Sequence, residues 1–333
     1  LARQGSASKA YSHAGFTAPS LVSLFTGRLE PDGSPHSLFD DFKAKNFNIG
    51  VISGQAESFG DIDKATGMRK NADLFIDAES LRDKRAFSSS AKGSLLIDEN
   101  ILFGEFESNY GSRDKWEHSN MIYINFQSAH FPYNHPGIGK LVDANPLSRG
   151  DISPQKKEKL VRTYRNAVAW SDHWIGEIDR KLTQLGVRDD VLLVVTADHG
   201  ESLFDDGFLG HGHQISNIQT QVPLILSQSN VKLDGALGLN NLRELILQVM
   251  MGMPTTSHQG PVFQYIGGLE SPSAIGTVGS DGERVVLKTI SRKIDFGDGR
   301  GEIRFDLLHG TEKAKACKLV QAWETYRFIN RSA

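Results

Sequence analysis

Two short stretches carry side chains suited to chemistry. In VLLVVTADHGESLFDDGFLGHGH (Val191 to His213), Asp198 and His199 stand side by side after an apolar run, and His211 and His213 follow in a glycine-rich segment. A carboxylate next to an imidazole is a donor pair suited to Zn²⁺ or a similar divalent ion. The plainer reading makes Asp198 a helix cap, His199 a local hydrogen bonder, and His211 and His213 part of a solvated loop. Four such residues so close together after a strand that reads as fully buried favour a site. The second stretch, AGFTAPSLVSLFTGRL (Ala14 to Leu29), sets Thr17 just ahead of Pro19 and an apolar helical run that ends near Gly27. Proline is tolerated in the first turn of a helix, so Thr17 is expected at the helix N-terminus. Its hydroxyl either caps the helix or acts as a nucleophile, with the helix dipole favouring an alkoxide and an anionic substrate.

The elements that must position these groups alternate along the chain. SLFDDFKAKNF reads as a helix and NIGVISG as the strand after it; MIYINF (Met121 to Phe126) is the next clear strand. From Ser153 to Leu185, Leu160, Tyr164, Ala167, Val168, Ser171, Ile175, Ile178 and Leu182 keep helical spacing, with Gly186 as the stop. VLLVVTA and QVPLILSQ read as strands. Near-continuous apolar strands alternating with helices predict an α/β fold with a mainly parallel sheet sandwiched by helices. In such sheets ligands gather at the carboxyl ends of strands, where Asp198 and His199 fall. GERVVLKTI and GEIRFDLL read as hairpin strands and EKAKACKLVQAWETYRFI as an amphipathic helix. The expected division is a catalytic α/β domain over 1–259 and a small C-terminal α+β subdomain over 260–333.

The totals exclude several classes. The chain has 333 residues, 39% hydrophobic and 23% charged, the balance of a soluble globular protein. A net charge of −3 with scattered Lys and Arg marks no nucleic-acid face. The single Cys317 rules out internal disulfides and thiolate metal clusters, and is expected to be a buried small hydrophobe. His13 and His135 are expected at the surface.

FTAPSLVSLFTGR resembles the C/S-x-P-S-R…TGR signature of the sulfatases, within the alkaline phosphatase superfamily, and TADHGESLFDDGFLGHG resembles their second metal-binding segment. Shorter likenesses follow in family order: LARQGSASKAYSHAG before the nucleophile, NFQSAHFPY with a substrate-facing His130, YRNAVAWSDHWIGEIDRKL, QVPLIL and FDLLHGTE. The resemblance implies an alkaline-phosphatase/sulfatase-like fold, and a metal site of Asp198, His199 and Thr17 holding one or two divalent ions, Zn²⁺ or Mn²⁺. It implies His130, His211 and His213 as substrate-binding groups, with His211 alternatively the ligand of a second metal.

Two departures shape the expected activity. Sulfatases use a formylglycine made from Cys or Ser, and Thr17 cannot form that aldehyde; Leu21 stands where an Arg usually follows P-S. Threonine is the nucleophile in relatives that move phosphoryl groups, such as the phosphoethanolamine and phosphoglycerol transferases. The reading is therefore a hydrolase or transferase of phosphate esters, small-molecule or lipid-linked, working through a phospho-threonine. A sulfuric ester hydrolase and a catalytically silent binding domain are the alternatives. The family also carries an acidic metal ligand on a first strand. Here that strand is expected ahead of Leu1, together with a membrane anchor and an extracytoplasmic (periplasmic or cell-surface) location.

Overall fold

The computed structural model describes residues 1–331 apart from 2, 32, 34, 90, 229, 230, 232 and 256–259. The expected boundary after residue 259 thus falls on a residue outside the described set. The principal elements, in chain order, begin with β1 (Ser6–Tyr11), α1 (Thr17–Thr26), α2 (Leu38–Ala44), β2 (Asn48–Ser53) and β3 (Leu74–Ile76). Next come α3 (Glu99–Tyr110), β4 (Asn120–Asn125), the long α4 (Lys157–Gln184), β5 (Val194–Thr196), β6 (Gln221–Leu226), β7 (Leu237–Gly238) and α5 (Leu242–Met250). The chain closes with β8 (Val262–Ile266), β9 (Ala274–Val278), β10 (Arg284–Lys288), β11 (Lys293–Asp295), β12 (Ile303–Arg304) and α6 (Gly310–Arg331). The α/β class expected from the alternation is the class observed. Among the described residues, no helix is long and apolar enough to cross a membrane.

The chain forms two compact units built from non-consecutive segments: 1–37 with 192–202 and 211–333, and 38–191 with 203–210. In the first unit, one sheet runs β5-β6-β1-β7. β6 is antiparallel to both β1 (Ser6↔Leu226 through Tyr11↔Gln221) and β5 (Val194↔Leu226 through Thr196↔Leu224), while β1 and β7 are parallel. This sheet is mixed, where a mainly parallel one was expected. The consequence is specific: β1 and β5, two strand spacings of roughly 5 Å apart, point the same way. The chain therefore leaves both at the same end of the sheet, β1 toward Thr17 and β5 toward Asp198 and His199. β5 is half-buried where its apolar run predicted full burial, because among the described strands it pairs on one side only.

A second sheet of this unit, β8-β9-β10-β11-β12, is antiparallel throughout. Its core of Phe263, Tyr265, Ile275, Leu287 and Ile294 is closed by Ala316 and Leu319 from α6, and it includes Ala14 and Leu29 from either side of α1. Ala14 bridges to Tyr265, whose N–H donates to the His13 carbonyl at 2.8 Å. We propose to treat 260–333 as a subdomain within this unit, because all five strands of the sheet come from it. His13, expected at the surface, is 2% exposed. Its ring nitrogens meet the Phe263 carbonyl at 2.7 Å and Asn240 Oδ1 at 2.8 Å, so it pins the segment before α1. Cys317 is half-buried, since Ala316 and Leu319 occupy the inward face of α6.

In the second unit a parallel sheet, β3-β2-β4, centres on β2, whose Ile49, Val51 and Ile52 are fully buried. α4 buries Leu160, Ala167, Ile178 and Leu182 as its spacing predicted, while Val168 is exposed. Asn166 on α4 accepts from the N–H groups of Val142 and Asp143 and donates to the Gly139 carbonyl, which ties down the 139–143 loop. His135, also expected at the surface, is 4% exposed. Asp98, Glu99 and His135 bring metal-type donor atoms within 4.8 Å of one another. Each is already engaged: Ser128 Oγ lies 2.8 Å from His135 Nε2 and donates to Glu99, and Trp170 Nε1 donates to Asp98 at 3.0 Å. The cluster is a satisfied buried network that joins α3, α4 and the segment after β4.

Candidate active site

Thr17 opens α1, and its hydroxyl does not cap the helix. The N-cap is Phe16, with extended backbone and no side-chain cap bond. Instead Thr17 Oγ1 lies 3.1 Å from His199 Nε2, across 182 residues of sequence, and Thr17 is 8% exposed. Of the two readings left open by the sequence, the helix cap is not the one the hydroxyl adopts.

His199 is held in a defined orientation. Its Nδ1 lies 3.0 Å from the Gly200 carbonyl. A carbonyl can only accept, so the Nδ1–H is the donor and the Nε2 lone pair is turned toward Thr17. Asp198 Oδ2 sits 3.3 Å from the same Nε2, and Asp198 Oδ1 accepts the His199 backbone N–H at 3.0 Å. Gly200 is required by space: a Cβ there would lie 2.0 Å from the Ile218 carbonyl oxygen, while its N–H donates to Gln219 O at 3.0 Å.

His211 joins this group. The His211 ring centroid is 3.9 Å from that of His199, and His211 Nδ1 lies 2.8 Å from Glu201 Oε1. His213 is exposed, and its backbone N–H donates to Gln219 Oε1 at 2.9 Å. His130 lies in the second unit, in the turn after β4, with its N–H on the Gln127 carbonyl and its Nδ1 2.9 Å from the Phe131 carbonyl. Glu201 was not singled out in the sequence, although a carboxylate two residues past His199 and ten before His211 was the available signal.

Burial sets the protonation of the two imidazoles differently. Desolvation pushes His199 down; the Asp198 charge opposes this but does not overcome it, and His211 adds to the fall. Desolvation also works against charge on His211, yet the Glu201 carboxylate, by hydrogen bond and by charge, holds its pKa above the usual value. The two neighbouring rings are thus driven in opposite directions, His199 toward the neutral form and His211 toward the protonated one.

The donor set fits a divalent cation. One carboxylate, one imidazole nitrogen with its lone pair exposed and one hydroxyl converge, and the imidazole's second nitrogen is fixed by a backbone carbonyl, the usual arrangement behind a metal-bound histidine.

The family model for Sulfatase matches residues 2–250. The chain belongs to the sulfatase family. That makes it an enzyme of the sulfatase superfamily. No curated protein sequence matches this sulfatase-family chain. Solved structures share its fold at low identity. The lipoteichoic acid synthase LtaP from Listeria monocytogenes is 13% identical with a TM-score of 0.62, over 96% of this chain and 83% of that one. The phosphonate monoester hydrolase SpPMH from Silicibacter pomeroyi is 15% identical with a TM-score of 0.63, over 97% and 88%. The C-terminal periplasmic domain of EcEptC from Escherichia coli, in complex with Zn, is 13% identical with a TM-score of 0.55, over 92% and 84%.

Proposed function

We propose that this protein is a metal-dependent phosphate-ester hydrolase or transferase in which Thr17 is the nucleophile. The observation that carries the reading is the Thr17 hydroxyl itself: it forgoes the helix cap and lies 3.1 Å from His199 Nε2, beside Asp198. Asp198, His199 and Thr17 would hold a Zn²⁺ or Mn²⁺ ion, which supplies the charge that favours the Thr17 alkoxide near neutral pH. From the N-terminus of α1, Thr17 Oγ1 forms the bond to phosphorus while the ester P–O bond breaks on the opposite side. The helix N-terminus favours negative charge on the phosphoryl oxygens. His211, whose pKa the Glu201 carboxylate raises, donates its proton to the departing oxygen. The phospho-threonine then passes its group to water or an acceptor alcohol. His130 and His213 are proposed substrate contacts; the first follows the carboxyl end of a parallel strand, a usual place for ligands.

A small-molecule or lipid-linked phosphate ester and an extracytoplasmic location belong to this proposal. Their support is the chain's likeness to a structure described as a periplasmic domain with zinc. Sulfate-ester hydrolysis is the competing reading, favoured by the family match but opposed by a residue that cannot become formylglycine. Turnover of an aryl phosphate, a phosphodiester and an aryl sulfate, compared side by side on zinc- and manganese-loaded protein, decides between them. Phosphate-ester turnover that vanishes in Thr17→Ala, while His199→Ala loses bound metal, is the expected result. Activity confined to the aryl sulfate, or undiminished in Thr17→Ala, would overturn the proposal.

A further inference from the structure

The residue before the nucleophile is out of place for stability. N-cap positions favour Ser, Thr, Asp or Asn, whose side chains satisfy the first backbone N–H groups. Phe16 offers no such bond, and at 43% exposed it is not core either. It is nonetheless held in place. Its ring centroid is 5.9 Å from that of His211, tilted at 46°, and the His211 ring continues to His199 at 3.9 Å. Gly212, at φ +79, lies beside the ring: a Cβ there would make ordinary van der Waals contact with Phe16 Cδ2, at 3.7 Å. A line of ring faces thus runs from Phe16 to the residue in contact with Thr17. Ile218, another exposed apolar side chain at 38%, lies on the segment that receives the Gly200 N–H.

The geometry points to Phe16 as a specificity-determining residue that selects esters with an apolar organic group, aryl or alkyl, next to the phosphoryl centre. The inference rests on the phosphate-ester reading above and adds the substrate class. A group hanging from phosphorus bonded to Thr17 has as its neighbour, by way of the His199 and His211 rings, the exposed phenyl ring of the preceding residue. Stacking or packing on it removes apolar surface from water. An anionic head group gains nothing there, because the ring face is the negative end of its quadrupole.

The test is calorimetric binding of methyl-, n-hexyl- and phenylphosphonate to the zinc-loaded protein and to Phe16→Ser. Serine supplies the missing cap, so the variant is expected to match or exceed the native melting temperature. We expect the better of hexyl and phenyl to bind about tenfold tighter than methyl, with that ratio falling to within about twofold in Phe16→Ser. A phenyl preference identifies an aromatic substrate and a hexyl preference an alkyl one; either supports the inference. Equal binding of all three probes, or a preference that survives Phe16→Ser, overturns it while leaving the phosphoryl reading in place. Binding of none of them defeats the phosphoryl reading, and the inference with it.

Discussion

Glu57 should make the second unit less stable as the pH rises through neutrality. It is fully buried just past β2, and desolvation pushes its carboxyl up from 4.5 to about 7, against hydrogen bonds from Ser53 at 2.6 Å, Asn125 at 3.2 Å and Gln55 at 3.3 Å. Between those two values the folded protein holds a proton that the unfolded chain has lost. Stability is therefore full below pH 4.5 and falls until the folded carboxyl ionises near pH 7. A rise from 4.5 to about 7, at about 1.4 kcal/mol per unit, corresponds to about 3 kcal/mol in all, most of it between pH 5 and 7. Glu57→Gln cannot ionise and removes the slope, whatever fixed cost the new amide carries. Urea unfolding followed by tryptophan fluorescence suits the measurement, because Trp116, Trp170 and Trp174 all lie in this unit. The loss of stability from pH 5 to pH 8 should be larger in the native protein than in Glu57→Gln by about 2–3 kcal/mol. Equal losses in the two proteins would refute the reasoning.

Other substitutions probe the site and its supports. Glu201→Gln removes the carboxylate that holds the His211 pKa up, so the fall of kcat/KM on the alkaline side should move to lower pH; an unmoved limb would take His211 out of the role of acid. Gly200→Ala forces a Cβ into the Ile218 carbonyl, and should lower both melting temperature and activity as the His199 turn is displaced. Asn166→Ala strips three hydrogen bonds from the 139–143 loop, which should cost about 1–3 kcal/mol in urea unfolding.

Residue type and spacing singled out Thr17, Asp198, His199 and His211, which the fold brings together, because a strand end and a helix start announce themselves locally. α4, β2, β4 and β6 were legible for the same reason. What depends on strand pairing was not. VLLVVTA looks the same whether it lies inside a sheet or at its edge, and SASKAY has too little alternation to declare itself the strand that delivers Thr17. Nor does a sequence show which histidines are buried. His13 and His135 sit in polar-looking segments, yet distant residues, Phe263 and Asn240 for one and Ser128 for the other, close over them. The Glu201–His211 pair and the exposed ring of Phe16 became meaningful only with the turn at 211–213 folded against them.

The central claim is that Thr17 takes the phosphoryl group. Its most direct test is mass-spectrometric peptide mapping of the metal-loaded enzyme, acid-quenched during turnover of an aryl phosphate. The account predicts one phosphoryl group on the peptide containing Thr17, absent when Thr17→Ala is treated in the same way. A phosphoryl group on another residue, or steady turnover by Thr17→Ala with no labelled peptide, would contradict it.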